Sequence, residues 1–206
     1  MADIAVESCK VVLLGESGVG KTSIITQFMD NEFTEDQQTT TGATFSTKSL
    51  TYEKYQKEIS FEIWDTAGQE KYRSLTKMFY KDAAIAILVY DITRYDSFEQ
   101  LRDFWVGQLK DNAPKNLLLA IAANKSDLIG EEKVDEGEAR KFAESIGAIF
   151  RLTSAKQQTG VEDLFRDVGT KFLDPSYDGV REKKRNEKVQ KIETPVKKEP
   201  QKKGCC

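Results

Sequence analysis

Histidine is absent from all 206 residues, and that absence excludes a good deal of chemistry. A Ser-His-Asp triad, a Cys-His nucleophile pair and histidine-based zinc sites are all ruled out. Cysteine is scarce as well: Cys9, Cys205 and Cys206 are the only three. Two adjacent thiols and one distant one make no disulfide framework, which points to a reducing compartment such as the cytosol. No run of about 18 apolar residues occurs, so the sequence predicts no membrane span. The opening stretch MADIAVESCK has neither the basic region nor the apolar run of a signal peptide. Catalysis, if any, must therefore rest on positioning, on a metal held by oxygen ligands, or on carboxylates and lysines.

What is present is one core's worth of apolar residues and an uneven distribution of charge. Hydrophobic residues make up 39% of the chain, enough at this length for a single domain with an extension. From Arg181 to Cys206 there are ten Lys/Arg against four Asp/Glu, whereas the 180 residues before them carry 21 against 30. An acidic body argues against nucleic acid as a partner, and a basic tail suits an anionic surface. The tail has two prolines and almost no apolar periodicity. These features predict disorder over residues 175–206, behind a domain at 10–174 and a short N-terminal extension at 1–9. No internal repeat is found.

Four apolar runs read as buried strands: KVVLL (10–14), AIAILVY (84–90), LLLAIAA (117–123) and AIFRL (148–152). Each gives way to turn-forming residues and then a helix-compatible stretch. After the second run, Phe98, Leu101, Trp105 and Leu109 recur at helical spacing. Near the domain's end, Val161, Leu164, Phe165, Val168, Phe172 and Leu173 form one stripe behind Gly160. Residues 45–64 alternate as two strands joined by a charged turn, an antiparallel hairpin. This alternation predicts an α/β fold with a mostly parallel sheet covered on both faces. Ligand chemistry should then gather at the carboxyl ends of the strands.

Directly after the first strand stands LLGESGVGKTS. Gly15-x-x-x-x-Gly20-Lys21-Thr22 fits the P-loop pattern, with a strand before it and a helix-compatible stretch after. Glycines let backbone N–H groups wrap an anion, and the helix N-terminus adds a favourable dipole. Ser17, Gly18, Val19 and Ser23 complete the candidate phosphate contacts. Lys21 is placed to reach β- and γ-phosphates, and the Thr22 hydroxyl to bind Mg²⁺. An ordinary glycine-rich turn is the alternative, and the strand–loop–helix context speaks against it.

The base and the reaction are read from three further segments. NKSD (Asn124, Lys125, Ser126, Asp127) ends a predicted buried strand. Guanine presents N1–H and an N2 amine in parallel, which the Asp127 carboxylate can accept as a pair; adenine offers neither donor there. SAK (Ser154, Ala155, Lys156) follows the last strand and would close over the base. In WDTAGQE (64–70), Asp65 is a candidate Walker-B-type carboxylate for Mg²⁺. Gly68 would let its N–H approach a γ-phosphate, and Gln69 would orient an attacking water.

Taken together, these motifs make the chain resemble the small GTPases of the Ras superfamily. TTTGATF, WDTAGQEKYRSL, MFYKDA, LVYDIT and the terminal CC are most similar to the Rab family, over about Lys10 to Leu173 and, in type, the tail. The resemblance implies a P-loop NTPase small G domain. Its sheet would have six strands, one of them an antiparallel edge strand. It also implies a GTP/GDP switch in vesicle trafficking and membrane tethering or fusion. Thr40 matches the threonine that meets Mg²⁺ and γ-phosphate, and Phe33 the aromatic that packs on guanine. Phe45, Trp64 and Phe79 match the aromatic triad that meets effectors. Thr41 stands where isoleucine is usual. The partners implied are an exchange factor, a GTPase-activating protein, GDP-dissociation inhibitor, Rab escort protein and effectors, around a monomer. Several segments are most like the early-endosomal branch, which implies the cytoplasmic face of endomembranes and a cytosolic GDP-bound pool.

Phosphoryl transfer of this kind is positioning plus charge neutralisation, which a chain without histidine can perform. Lys21 and Gln69 are the candidate catalytic residues, with Thr22, Thr40 and Asp65 as candidate metal ligands. No Arg or Lys lies between Ile24 and Phe45, so no arginine finger comes from that segment in cis, and slow hydrolysis that depends on an activating protein is expected. The alternatives are a nucleotide-binding scaffold without hydrolysis and an ATP-using P-loop enzyme; NKSD and SAK argue against the second. The ending KKGCC is no C-a-a-X box, and the family pattern implies geranylgeranylation of Cys205 and Cys206. Two chains, helped by the basic tail, would anchor stably where one lipid would not.

Overall fold

Apolar strand runs and helices that each bury one stripe produce a three-layer arrangement. The computed structural model describes residues 5–35, 40, 44–66 and 80–177. Its strands are β1 (Ala5–Leu14), β2 (Thr44–Tyr52), β3 (Lys57–Asp65), β4 (Ile85–Asp91), β5 (Leu118–Asn124) and β6 (Ile149–Leu152). They form one six-stranded sheet in the order β2-β3-β1-β4-β5-β6. Only the edge pair β2–β3 is antiparallel; the remaining pairs are parallel. Every residue of β4 is buried, as expected of a central strand with both faces covered.

Alternation along the strands sorts the core into two halves. Val11 and Leu13 of β1 join Ile85, Ile87 and Val89 of β4 on one face, together with Ile24 and Phe28 of α1 (Lys21–Asp30) and Leu164, Phe165 and Val168 of α4 (Val161–Leu173). Val12 and Leu14 point to the other face. There they meet Phe98, Leu101, Trp105 and Leu109 of α2 (95–112) and Ala139 and Ala143 of α3 (Glu136–Ser145). All four residues marked by helical spacing in α2 are therefore core residues, even though the helix passes through a π-helical turn at Leu101–Trp105. On the first face the rings of Phe28 and Phe165 stack with centroids 3.7 Å apart. Burying an aromatic of this size contributes about 1.5–3 kcal/mol.

One boundary differs from the sequence expectation. β1 begins at Ala5, within the residues 1–9 that composition sets apart as an extension. Ladder pairing rather than apolarity forms this half: Ala5 to Cys9 pair with Lys57 to Phe61, and only Cys9 among the five is buried. Glu7 and Lys57 form an ion pair across the two strands. The charged turn of the hairpin contains a short 3₁₀ turn at Glu53–Tyr55, closed by Gln56 at a φ of 50°.

The carboxyl ends of β1, β3, β4, β5 and β6 are Leu14, Asp65, Asp91, Asn124 and Leu152. Parallel pairing brings these ends to one side of the sheet, and the loops that follow them meet there.

Candidate functional site

At that side of the sheet lies a cleft of about 350 Å³. One end is made by the loop between β1 and α1. Lys21, the first residue of α1, is 5% exposed, and its Nζ donates to the carbonyls of Gly15 and Glu16, both at 2.8 Å. Burial pushes the Lys21 pKa down to about 8, against the opposing pull of Asp65 and Glu16. Gly20 precedes the helix at a φ of 93°, and a Cβ there would lie 2.3 Å from Asn124 Nδ2.

Beside Lys21, three residues far apart in sequence converge. Thr22 Oγ1 donates to Asp65 Oδ2 at 2.6 Å and lies 2.8 Å from Thr40 Oγ1. Because the single Thr22 proton goes to the carboxylate, the Thr40 hydroxyl is the donor to Thr22. Asp65 is 2% exposed, and its Oδ1 is buried without a hydrogen-bond partner. Burial raises the Asp65 pKa, with the Thr22 bond and Lys21 acting the other way. Two hydroxyls and a carboxylate with one unmet buried oxygen make an all-oxygen donor set. Such a set suits a hard divalent cation such as Mg²⁺.

The other end is built where β5 and β6 stop. Asn124 donates through Nδ2 to the Val19 carbonyl at 2.8 Å and accepts at Oδ1 from Thr153 Oγ1 at 3.2 Å. It thus ties the glycine loop to the loops that follow β5 and β6. Lys125, at a φ of 64°, reaches Asp91 Oδ2 at 2.7 Å; the Asp91 Oδ1 accepts from the N–H and hydroxyl of Thr93. Ser154 Oγ donates to Asp127 Oδ1 and accepts from the Gln157 N–H at 3.0 Å, so the carboxylate is oriented from behind. Phe33, Ala155 and Lys156 complete this end, and Lys156 Nζ pairs with Glu35 Oε1 at 2.6 Å.

A family model described as the Ras family matches residues 10–174. The chain belongs to the Ras family. Among individual members it is similar to several Rab proteins. It is 44% identical to the human Ras-related protein Rab-22A over 176 residues, covering 85% of this chain and 88% of that one. It is 44% identical to human Ras-related protein Rab-31 over 179 residues, covering 85% and 90%. It is 42% identical to the Nicotiana tabacum Ras-related protein Rab5 over 165 residues, covering 80% and 81%. Membership makes the chain a Rab-type small GTPase, a class that binds GTP or GDP with Mg²⁺.

Within this Ras-family cleft the structure sorts the candidate residues by role. Ser17, Gly18, Gly20, Lys21, Thr22, Ser23, Phe33, Thr40, Asn124, Lys125, Asp127, Ala155 and Lys156 line it. Gly15, Val19 and Ser154 support it from outside the lining. A Cβ on Gly15 would sit 2.2 Å from the Val89 carbonyl; Val19 lends its carbonyl to Asn124, and Ser154 steers Asp127. Gly68, Gln69, Thr41, Phe79, Cys205 and Cys206 lie outside the described residues, as does the tail from 178 onward. Phe45 and Trp64 face each other across β2 and β3, with ring centroids 5.3 Å apart. Phe45 is 53% exposed.

Four lining residues escaped the sequence reading: Thr34, Glu35, Thr66 and Leu128. Thr66 follows Asp65 directly, and its hydroxyl donates to the Leu13 carbonyl at 2.6 Å, so its place in WDTAGQE was the available signal. Asp91 also escaped as a working residue. A carboxylate that ends a fully buried strand is the pattern that marks it.

Proposed function

We propose that this chain is a Rab-type molecular switch that binds GTP, hydrolyses it slowly to GDP and phosphate, and recruits effectors in the GTP state. One observation carries the reading. Thr22 and Thr40, which line the cleft, converge with the buried Asp65 through contacts of 2.8 Å or less, and the far end of the same cleft presents Asp127 oriented by Ser154. A triphosphate suits the first of those ends in chemistry, and a guanine suits the second.

The residues divide the work as follows. Lys21, held by two loop carbonyls, supplies a cation to the β- and γ-phosphoryl oxygens. Thr22, Thr40 and Asp65 are the residues to hold Mg²⁺, which would supply further positive charge to the polyphosphate. Asp127 accepts from guanine N1–H and N2, and discrimination against adenine follows because its carboxylate would otherwise stay unpaired. Phe33 and Ala155 flank the base, and Lys156 closes over it. Gln69 aligns the attacking water, and Gly68 gives its N–H to the γ-phosphate. Loss of that phosphate releases Thr40 and Gly68, which is how hydrolysis would be read by partners.

Phe45 and Trp64, with Phe79, are the effector contacts in this reading. Exchange factor, GTPase-activating protein, GDP-dissociation inhibitor and escort protein are the regulators. Cys205 and Cys206 carry two geranylgeranyl groups, and the basic tail adds attraction to anionic membrane. The cytoplasmic face of early endosomes is the compartment that the Rab-22A, Rab-31 and Rab5 similarities favour, in accord with the sequence resemblance.

Single-turnover hydrolysis of γ-labelled GTP tests the switch. The expected basal rate is on the order of 10⁻⁴ s⁻¹, rising about 10⁵-fold with an activating protein that supplies an arginine. Gln69→Leu should abolish the stimulated rate. Rapid turnover by the isolated chain, unaffected by that substitution, would defeat the reading, and complete absence of hydrolysis would leave only a binding scaffold.

A further inference from the structure

Besides Lys21, another cation touches the phosphate loop, from outside the cleft lining. Arg94 lies just past the end of β4, and its Nη1 donates to the Ser17 carbonyl at 3.0 Å. Its Nη2 donates to Asp96 Oδ2 at 2.9 Å, so the guanidinium plane is fixed at both ends. The backbone behind it is equally constrained. The Arg94 N–H donates to the Asp91 carbonyl at 3.0 Å, and the Arg94 carbonyl accepts from both the N–H and the hydroxyl of Ser97. The guanidinium lies close against the next residue as well: a Cβ on Gly18 would sit 3.7 Å from Nη1, at van der Waals contact.

The Ser17 carbonyl and the Gly18 N–H belong to one peptide unit. The chain has no cis peptide among its described residues, so the two groups point in opposite directions. Arg94 holds the carbonyl on the outer side, which turns the N–H of Gly18 to the inner one. Ser17 and Gly18 both line the cleft. A charged donor on the carbonyl also draws electron density from the amide and makes its N–H a stronger donor.

We propose that Arg94 is a positioning residue for polyphosphate binding, which acts through the Ser17–Gly18 peptide to aim and strengthen the Gly18 N–H toward a nucleoside di- or triphosphate. It touches no substrate itself. The inference rests on the reading of the cleft as a guanine-nucleotide site and adds a determinant that the P-loop motif does not contain. It also gives the loop between β4 and α2 two duties at once, because Asp91 in the same turn holds Lys125 at the other end of the cleft.

The test compares full-length wild type, Arg94→Met and Arg94→Lys. Release of a fluorescent GDP is timed by stopped flow, and GMP affinity is measured by competition. Arg94→Met should release GDP about tenfold faster, in keeping with the loss of one charge-assisted hydrogen bond. Its GMP affinity should stay at the wild-type value, because GMP lacks the outer phosphates. Arg94→Lys, which keeps a cation and a donor, should recover part of the loss, and it carries the comparison if Arg94→Met fails to fold. GDP release within twofold of wild type, or a GMP affinity that falls by the same factor as GDP, would overturn the inference alone. A wild-type chain that holds no GDP would overturn the reading of the cleft, and this inference with it.

Discussion

At the phosphate-loop end of the cleft the charged groups are buried, with Lys21 and Asp65 only 5% and 2% exposed. At the NKSD end, the Lys156 and Glu35 side chains that meet across the opening are 55% and 71% exposed. The first end is built mainly on one continuous loop, braced by Asn124 through the Val19 carbonyl and packed closely on the Val89 carbonyl at Gly15, with Thr40 and Asp65 joining it at Thr22. The second is assembled from residues 33–35, 124–128 and 154–156, which come together only when the whole sheet has formed. A pre-shaped end serves a polyphosphate, whose charge demands donors that do not have to reorganise. An end closed by exposed side chains can open without breaking the core, which suits a ligand that must be exchanged. Mutations at the two ends should therefore differ in kind as well as in size.

The largest effect is expected where the pre-shaped end meets the sheet. Gly15 has a φ of 147°, and a Cβ there would lie 2.2 Å from the Val89 carbonyl, a backbone atom of a fully buried strand. Neither partner can yield without moving β4. Gly15→Ala should cost on the order of 3 kcal/mol by strain and displacement. For a domain of this size that corresponds to a melting temperature lower by about 10 °C. Because the loop moves with it, GDP binding should be lost as well. Thermal unfolding followed by fluorescence, and GDP binding by calorimetry, would check both. A stable variant that binds GDP normally would show that the loop is not pinned by β4, and the contrast between the two ends would collapse.

The same contrast explains what the sequence made legible. The phosphate-loop end is local, so Gly15, Gly20, Lys21 and Thr22 could be read from one stretch of eight residues, and the apolar runs placed β4 and β5 within a residue. The first half of β1 was illegible because Ala5 to Ser8 are stabilised by pairing with β3 and carry no apolar pattern. Glu35 was visible only as one of several acidic residues in an irregular segment. Its partner Lys156 stands 121 positions away, and no local pattern announces a contact at that separation. Arg94 was hidden for the same reason, since its contact with Ser17 spans 77 positions. Asn124 was read as a base-side residue, and its bonds to Val19 and Thr153 make it a brace between the two ends.

An intermediate effect is expected at Asp127. Its orientation comes from Ser154, which is wholly buried, so this part of the open end is itself pre-set. Asp127→Ala removes the only carboxylate among the cleft-lining NKSD residues while leaving the phosphate loop intact. The fold should be retained, and the preference for GDP over ADP should fall by about 10³-fold, since sites built to pair a donor discriminate strongly against its absence. Competition of ADP against labelled GDP measures this directly. Undiminished discrimination would mean that the base is read elsewhere, and the NKSD end would lose its assigned role.

The smallest effect should come from the pair that spans the opening. Glu35 and Lys156 are both solvent-exposed, and each shifts the other's titration in the direction of the charged form: the Glu35 carboxyl is held below its ordinary range and the Lys156 ammonium above. A second contact lies beside them, from Gln158 Nε2 to the Asn31 carbonyl at 3.0 Å. Exposed pairs contribute little to stability, so Glu35→Gln should leave the melting temperature unchanged. It should still speed GDP release, by about twofold to threefold at low salt, because both side chains line the cleft and their ion pair joins two loops around it. At 1 M salt the screening length shrinks to about 3 Å, and wild type and variant should then release GDP at the same rate. A difference that persists in high salt would mean that Glu35 acts through packing around Phe33 and Thr34 instead of through charge. A loss of thermal stability would place the residue with the pinned end of the cleft and not with the end that opens.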